Sequence, residues 1–362
     1  MRIAAALLGA TVLTIWTAGT AQSAGPNPTL LFRWADPAIT ESSGLAVSSY
    51  DDRVVYTHND SGDAAGFFAV DAATGATLAA YRVPGATNVD WEDMAAAPDA
   101  TGRRSLWFAD IGDNRGLRPD IAIYLVPEPR VDRRWRGVSA TTSPPATTRL
   151  RYPDGPHDAE ALLVDARRAA VYVATKSLSG QTSVYATQLR LQPTSTLRLV
   201  ATVELGVGAA VTGGAVSRAG DRLVLRTYAE AFFWALGPGG VPAALRQPPV
   251  RVPLPTMPQG ESVAFRSDGT LLVGSEGPHS AVYAVRLAGP AATPAPAATP
   301  APTPTPAATP TPAARRDAPG LRPVGRVLLV AALVAAVGGW VMFRRLARRR
   351  TSRPHGVGAR RS

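Results

Sequence analysis

The sequence of 362 residues contains no cysteine, so no disulfide framework can stabilise the fold, and stability has to come from a packed core. A Gly-x-Ser-x-Gly motif is also absent, and without it a serine esterase lacks the turn that presents its nucleophile. Lysine is almost absent, because Lys176 is the single lysine among the cations. These absences exclude a disulfide-stabilised module and argue against a serine hydrolase.

The formal net charge of +11 is unevenly distributed along the chain. Arginines are concentrated after residue 344 and between residues 315 and 326, which leaves residues 26–287 close to neutral. The net positive charge of the whole chain is therefore no indication that its folded part binds nucleic acid. We expect no nucleic-acid partner.

The first 23 residues have the composition of a secretory signal peptide. Arg2 precedes an apolar run from Ile3 to Ile15, and small residues follow it. The apolar run is too short to span a bilayer comfortably, and the small residues are typical of a cleavage site. We expect export and removal of residues 1–23, with an uncleaved N-terminal anchor as the alternative.

The C-terminal part of the sequence indicates a stalk, a membrane span and a tail. Residues 288–323 are mostly Pro, Ala and Thr, which predicts an extended, semi-rigid segment. Residues 324–343 form an apolar run that reaches spanning length, and residues 344–362 are rich in arginine, which places this tail in the cytoplasm. The sequence thus predicts a single-pass protein of the cell membrane with residues 26–287 outside. A buried core helix is the alternative interpretation of residues 324–343.

Between these segments the chain repeats. A polar residue lies three positions before a small or aliphatic one at five points, spaced 49, 68, 52 and 49 residues apart: Ser43, Glu92, Glu160, Thr212 and Glu261. Each of these marker residues is followed by short runs rich in Val, Tyr and Phe that are separated by turn residues. A period near fifty with several short strands per unit predicts an all-β fold, a β-propeller. Five blades are favoured, and six are possible if the second repeat hides a unit.

The ends of the repeat region predict how the ring closes. The last repeat has no fourth strand before residue 288, whereas the run Thr29–Trp34 is a strand without a repeat of its own. Pairing this strand into the last blade would remove two open sheet edges. Residues 131–148 are interpreted as an insertion in the second repeat.

Carboxylates are concentrated in the loops that would open on one face of such a propeller, while the loops of the other face look like ordinary turns. Converging carboxylate, amide and carbonyl oxygens form the hard environment that Ca²⁺ prefers. We therefore predict Ca²⁺ as a cofactor and the following metal ligands: Asp60, Asp63, Asp90, Glu92, Asp110, Asp113, Asp158, Glu160 and Glu261. The alternative is that these residues only cap turns and backbone ends.

Five stretches carry a resemblance to a known family: Glu41–Ala46, His58–Asp63, Asp90–Ala95, Gly112–Arg115 and Tyr152–Ala161. Here the chain resembles exported bacterial propellers named for the esterase-like activity of phytase and, more distantly, the SdiA-regulated propellers. The resemblance implies a propeller related to calcium-dependent phosphoesterases. The candidates for catalysis would be Arg115, Lys176, Arg226 and His157, with the first three as counter-charges to phosphate. The Asp-Ala-Asp-Asp-Pro opening of alkaline phytases is reduced here to Ala35-Asp36-Pro37.

Two functions of different classes follow from these observations. The first is a membrane-anchored extracellular domain that binds a ligand or a partner protein through its acidic, cation-binding face. The second is a metal-dependent phosphoesterase that uses the same face to activate water. The stalk and the anchor favour the first, because they extend a domain from the cell surface.

Overall fold

The computed structural model describes residues 28–190 and 192–286. The predicted signal peptide (1–23), stalk (288–323), membrane span (324–343) and tail (344–362) lie outside the described residues, and they stay predictions. Within the two described ranges, no helix is long and apolar enough to cross a membrane.

Within the described residues, 22 strands form five separate sheets, so the fold is a five-bladed β-propeller, as predicted. Blade 1 consists of β2 (Ser42–Val47), β3 (Val54–Asn59), β4 (Gly66–Asp71) and β5 (Thr77–Arg82), extended by β9 (Val138–Thr141). Blade 2 consists of β6 (Trp91–Pro98), β7 (Arg104–Asp110), β8 (Ile121–Pro127) and β10 (Ala146–Arg151), extended by β14 (Thr194–Thr196). Blade 3 consists of β11 (Ala159–Asp165), β12 (Ala170–Thr175), β13 (Gln181–Gln188) and β15 (Arg198–Glu204).

Blade 4 consists of β16 (Val211–Val216), β17 (Arg222–Thr227), β18 (Glu230–Ala235) and β19 (Val250–Pro253). Blade 5 consists of β20 (Gly260–Phe265), β21 (Leu271–Ser275), β22 (Ala281–Val285) and β1 (Thr29–Arg33). A 3-10 helix (Ala166–Arg168) and α1 (Gly240–Ala244) lie in connections between strands. The four main strands of each blade pair antiparallel, and only the added strands β9 and β14 pair parallel to their neighbours.

The N-terminal strand closes the ring. Strand β1 pairs antiparallel with β22, with Thr29 opposite Ala284 and Arg33 opposite Ala281, so the closure expected from the sequence is confirmed. Phe32 and Trp34 are buried there and make an edge-to-face contact of 5.0 Å between ring centroids. The predicted insertion is only partly an insertion, because residues 131–148 include β9 and the first residues of β10, the fourth strand of blade 2.

The core lies between neighbouring blades, and the first strands β2, β6, β11, β16 and β20 pack around the central axis. Aromatic rings fill the space between blades 1 and 2, where Trp91 stacks on Phe108 at 4.9 Å. Small residues let the first strands approach each other. A Cβ atom at Gly214 would meet Leu163 and Ala161 of blade 3, so only glycine fits at this position.

The first strand of each blade is irregular at its marker residue. Trp91 pairs with Asp110 and Asp93 with Ala109, which leaves Glu92 as an extra residue, and Glu160 and Thr212 are extra in the same way. Blades 1 and 5 have the same irregularity at Ser43–Gly44 and Glu261–Ser262. A β-bulge redirects a side chain from the pleat of its strand. The sequence repeat therefore corresponds to five bulges at one end of the channel.

The propeller has two faces. The upper face holds the connections that enter the first strands and those from the second to the third strands. The lower face holds the remaining connections and the strand ends next to them: residues 48–53, 71–76, 99–104, 128–137, 165–169, 189–190, 192–198, 217–222, 236–249, 266–270 and 286. The five bulges lie at the upper face.

Candidate metal centre

Each blade contributes three kinds of position to the upper end of the channel. The first is the marker residue, the second lies two residues before it, and the third follows the second strand. In four blades the residue that follows the second strand donates its backbone N–H to the carbonyl of the residue two positions before the marker. The distances are 2.8–3.1 Å, and the pairs are Asp60 to Glu41, Gly112 to Asp90, Lys176 to Asp158 and Glu276 to Gln259. This repeated bond brings side chains from distant parts of the chain to one channel mouth.

Five of the predicted ligands form two groups at this mouth. Asp60, Asp90 and Glu92 each offer an oxygen within 4.8 Å of the others, and so do Glu92, Asp158 and Glu160. Glu92 belongs to both groups, which therefore overlap. All five residues are buried or half-buried, so water screens their charges poorly. The structure thus brings together the residues that the sequence predicts as the centre of a cation site.

Asp90 and Gly112 show how closely the carboxylates of this cluster are packed. Asp90 is 8% exposed, and its Oδ1 atom is buried without a hydrogen-bond partner among the described residues. A buried carboxylate oxygen is costly to leave unpaired, so a ligand that pairs with it is favoured. At Gly112 a Cβ atom would meet Glu92 Oε1 and Asp90 Oδ2. The missing side chain lets these two carboxylates lie against the Gly112 backbone.

Asp110 and Asp113 lie behind the two groups and hold them in place. Asp110 Oδ1 accepts hydrogen bonds from the Asp90 N–H at 3.0 Å and from Arg118 Nη1 at 2.8 Å. Asp113 Oδ2 accepts from the Arg118 N–H at 2.7 Å, while the Asp113 N–H donates to Asp158 Oδ1 at 2.8 Å. These two predicted ligands therefore fix Asp90 and Asp158 through Asp110 Oδ1 and the Asp113 N–H. Asp110 Oδ2 is buried without a hydrogen-bond partner among the described residues.

Lys176 is the cation that faces the second group. Its Nζ lies 2.5 Å from Glu160 Oε1, and both side chains are largely buried. Burial lowers the pKa of Lys176, but the charges of Glu160 and Glu261 outweigh it and raise the pKa well above the usual value. Lys176 is therefore charged and neutralises part of the second group. Among the described residues, neither Asp90 nor Glu92 forms an ion pair with a lysine or an arginine, although the charge of Lys176 acts on Glu92.

Glu261 and Glu276 continue the cluster on the side of blade 5. Gln259 Nε2 bridges them, because it donates to Glu261 Oε1 at 3.0 Å and to Glu276 Oε2 at 2.5 Å. Burial raises the pKa of Glu276 well above its usual value, and the neighbouring carboxylates add to this effect. On this side of the mouth an amide bridge therefore links the two acids.

Burial also raises the pKa values of the central carboxylates. The pKa of Glu92 lies well above its usual value because the side chain is buried and because Glu160, Asp60 and Asp90 repel its charge. Burial raises the pKa of Glu160 to about 8, although Lys176 opposes the shift. A cluster in this state gains by exchanging protons for a divalent cation.

We expect the metal-free protein to lose stability as pH rises. A carboxyl with a raised folded-state pKa stabilises the folded form fully below its unfolded pKa of 4.5. This contribution is lost as pH increases through about 8, the folded pKa of Glu160. Urea unfolding with a chelator should therefore give a lower free energy of unfolding at pH 8 than at pH 5. Equal stability at both pH values would show that the cluster is ordinarily ionised.

Arg226 lies inside the propeller and not at the mouth. Its side chain is fully buried, and Nη1 donates to the carbonyls of Ser262 and Gly274, both at 2.9 Å. Burial lowers its pKa to about 10, so the guanidinium stays charged at neutral pH. These bonds tie blade 4 to blade 5, while Nη2 is buried without a hydrogen-bond partner among the described residues.

Replacement of Arg226 should therefore reduce stability. The variant Arg226→Met leaves two buried carbonyls without donors, at a cost of about 1–3 kcal/mol each. Chemical denaturation should show this loss. The control Arg115→Met removes an exposed arginine that has no side-chain hydrogen bond among the described residues, and we expect no measurable change. Unchanged unfolding of Arg226→Met would remove the structural role.

The remaining predicted site residues lie outside the two groups. Asp63 is exposed and turned to its own loop, where it accepts from Asn59 Nδ2 at 2.6 Å and from the Ala64 N–H at 2.7 Å. His157 lies against blade 3, with Nε2 2.9 Å from the Tyr185 hydroxyl and 3.1 Å from Asp154 Oδ1. Arg115 is exposed on the upper face.

Another acid, Asp93, acts within the core. Its carboxylate accepts backbone N–H bonds from Met94 and Leu162 at 2.8 Å and from Gly214 at 3.2 Å. Asp93 therefore joins the first strands of blades 2, 3 and 4. It is a structural neighbour of the cluster, since its oxygens are already bonded.

Three residues that shape the site were not predicted from the sequence. Glu276 and Gln259 extend the acidic cluster, and Gly112 lets Glu92 lie against its backbone. A signal for them exists in the repeat: they occupy the same blade positions as Asp60, Lys176 and Asp90. Aligning the five repeats on the marker and on the end of the second strand would have found them.

Comparison with known proteins assigns no family to this chain. No protein-family model matches the chain, and no curated protein matches its sequence. Among solved structures, a gluconolactonase from Xanthomonas campestris is 14% identical, with a TM-score of 0.39 over 73% of this chain and 96% of that chain. The soluble aldose sugar dehydrogenase from Escherichia coli is 12% identical, with a TM-score of 0.42 over 72% and 99%. A glucose dehydrogenase is 9% identical, with a TM-score of 0.43 over 73% and 100%. Similarity at this level carries no information about activity.

Proposed function

We propose that this protein is an extracellular binding domain whose upper face holds one divalent cation, most favourably Ca²⁺, at the mouth of the propeller channel. The observation that carries the proposal is the group formed by Asp60, Asp90 and Glu92, with their oxygens within 4.8 Å of one another. Three ionised carboxylates carry more charge than one divalent ion neutralises. The side of the ion that faces away from them is the side that we propose binds a ligand or partner.

The choice of Ca²⁺ follows from the donor set. All three donors are carboxylate oxygens, and nearby backbone carbonyls come from irregular loops, which suits the high and flexible coordination number of Ca²⁺. The described residues offer no cysteine and no histidine within either group, which are the ligands that zinc and copper prefer. The cation would stabilise the mouth by replacing repulsion between carboxylates with attraction.

The described fold also supports the proposed orientation at the cell surface. Residue 286 leaves β22 at the lower face, opposite to the carboxylates. If the predicted span at residues 324–343 anchors the chain, the cation site points away from the membrane. A site in that position suits capture of a ligand from outside.

A calorimetric titration of the ectodomain, residues 26–287, tests the proposed function. We expect Ca²⁺ to bind with one site per chain and to release protons, so the observed heat should vary with the ionisation enthalpy of the buffer. Mg²⁺ should bind more weakly, because it demands near-octahedral geometry and dehydrates reluctantly. Absence of binding by either ion at millimolar concentration would refute the proposal.

The phosphoesterase hypothesis gains no specific support from the structure. Of its four candidate residues, Arg226 is committed to backbone carbonyls, Lys176 to Glu160, and His157 to Tyr185 and Asp154. Only Arg115 is exposed and without a side-chain hydrogen bond among the described residues. The binding function therefore accounts better for the site.

A further inference from the structure

The lower face of the propeller is strongly basic, in contrast to the upper face. The lower-face residues defined above include 16 arginines and nine carboxylates. The described part of the chain is close to neutral as a whole, so the upper face carries the compensating excess of acid. The two ends of the channel thus have opposite charge.

Ion pairs do not remove this excess. Seven lower-face arginines pair with seven of the nine carboxylates. The other two carboxylates are engaged differently: Glu128 accepts from Ser48 and Ser49, and Asp268 accepts from the Thr270 N–H. Nine arginines of this face therefore have no carboxylate partner among the described residues.

Two of these nine arginines are held in fixed positions. The guanidinium groups of Arg104 and Arg130 both lie 4.4 Å from the centroid of the Tyr50 ring. Neither side chain has a hydrogen bond or ion pair among the described residues, and both are exposed. The ring orders the two cations without neutralising them. Their side-chain N–H donors have no hydrogen-bond acceptor among the described residues.

The ends of the described chain locate the predicted tether relative to the lower face. Strand β1 begins at Thr29 beside Ala284, and β22 ends at Val285, so both ends of the described chain lie at the lower face. The chain continues from residue 286 towards the predicted stalk and span. If the predicted span at residues 324–343 anchors the chain, the tether leaves the propeller from the basic face.

We propose that the lower face docks on an anionic phospholipid surface, with phosphate groups bound by Arg104 and Arg130. Guanidinium groups bind phosphate oxygens through paired N–H donors, and clustered arginines are attracted to anionic membranes. A tether to the same membrane raises the effective concentration of the face, so weak individual contacts suffice. Docking would hold the acidic face away from the bilayer. This inference is independent of cation binding.

Vesicle sedimentation with the ectodomain, residues 26–287, tests the proposal. All five sheets and the closing strand lie within this range, so the ectodomain contains the whole described fold. We expect it to sediment with vesicles of phosphatidylcholine and 30% phosphatidylglycerol, and not with pure phosphatidylcholine. Raising the salt to 0.5 M should release it, because the contact is electrostatic.

Charge-reversal variants locate the contact. Arg104→Glu with Arg130→Glu should reduce partitioning to anionic vesicles at least tenfold. A second lower-face pair, Arg190→Glu with Arg246→Glu, removes two exposed arginines that have no ion pair among the described residues, and it should also reduce partitioning. The upper-face control, Arg82→Glu with Arg115→Glu, replaces two exposed arginines, changes the net charge equally and should leave partitioning unchanged. Melting temperatures confirm that each variant is folded.

Three results would overturn the proposal. The first is failure of the ectodomain to sediment with anionic vesicles at low salt. The second is an equal loss of vesicle partitioning for the upper-face and lower-face variants, which would show that binding depends on the net charge and not on one docking face. The third is binding to soluble polyphosphate without binding to vesicles, which would identify a polymer as the partner.

Discussion

An ectodomain that begins at residue 35, and so lacks β1, is expected to lose most of its stability and to aggregate. The deletion removes Phe32 and Trp34, which are 5% and 0% exposed, and it opens the ring at β22. Loss of a buried Phe or Trp side chain costs about 3–5 kcal/mol each. A typical domain has about 5–15 kcal/mol in total. The unpaired edge of β22 would in addition be free to pair with another molecule.

Single variants separate closure from a general effect of truncation. Trp34→Ala should lower the free energy of unfolding by about 3–5 kcal/mol, because it leaves a cavity in the core between blades 5 and 1. Leu30→Ala in the adjoining strand β1 is the control, since Leu30 is 48% exposed and its loss should cost less than about 1 kcal/mol. Denaturant unfolding measures both. A shortened ectodomain that melts as the intact one does would contradict closure by β1.

The second large effect concerns Glu92, the carboxylate shared by the two groups at the channel mouth. At a Ca²⁺ concentration one hundred times the dissociation constant, the intact ectodomain should gain about 2.7 kcal/mol of stability. The variant Glu92→Gln should lose this gain, because the amide removes the charge common to both groups. Without Ca²⁺ the same variant should be as stable as the parent or more stable, since it relieves repulsion by Asp60, Asp90 and Glu160.

Thermal unfolding with Ca²⁺ and with a chelator measures these effects. Glu204→Gln is the matched control, because Glu204 is exposed at the end of β15 and belongs to neither group. This control should keep the full calcium-dependent shift in melting temperature. If Glu92→Gln also keeps it, the ion binds elsewhere. If no protein shows a shift, the carboxylates serve only to cap loops.

Much of the fold was accessible from the sequence because the repeat has a physical cause. The marker residues recur since each occupies a bulge at the start of a first strand. The run Thr29–Trp34, which has no repeat of its own, could pair only with the open edge of the last blade, and β1 does pair with β22 there. The boundary of the insertion was harder to predict. Residues 131–148 contain both β9, which joins blade 1, and the start of β10, and no local pattern distinguishes an added strand from a blade strand.

The site was predicted in its centre and less well at its margins. Asp60, Asp90, Glu92, Asp158 and Glu160 meet because blade positions converge on an axis, and the repeat shows which positions converge. Side-chain partners are not periodic, so the sequence could not show that Asp63 turns to Asn59 or that Arg226 points into the core. Gly112 is important because it has no side chain, so the oxygens of Glu92 and Asp90 can lie against its backbone, and only the packing shows this.

A crystal structure of the ectodomain grown with Ca²⁺ is the most direct test of the cation site. The account predicts one anomalous peak at the upper end of the channel, with oxygens of Asp60, Asp90 and Glu92 about 2.3–2.6 Å from the ion. Lys176 should stay paired with Glu160. A map without a peak at these three carboxylates, from crystals grown in millimolar Ca²⁺, would contradict it.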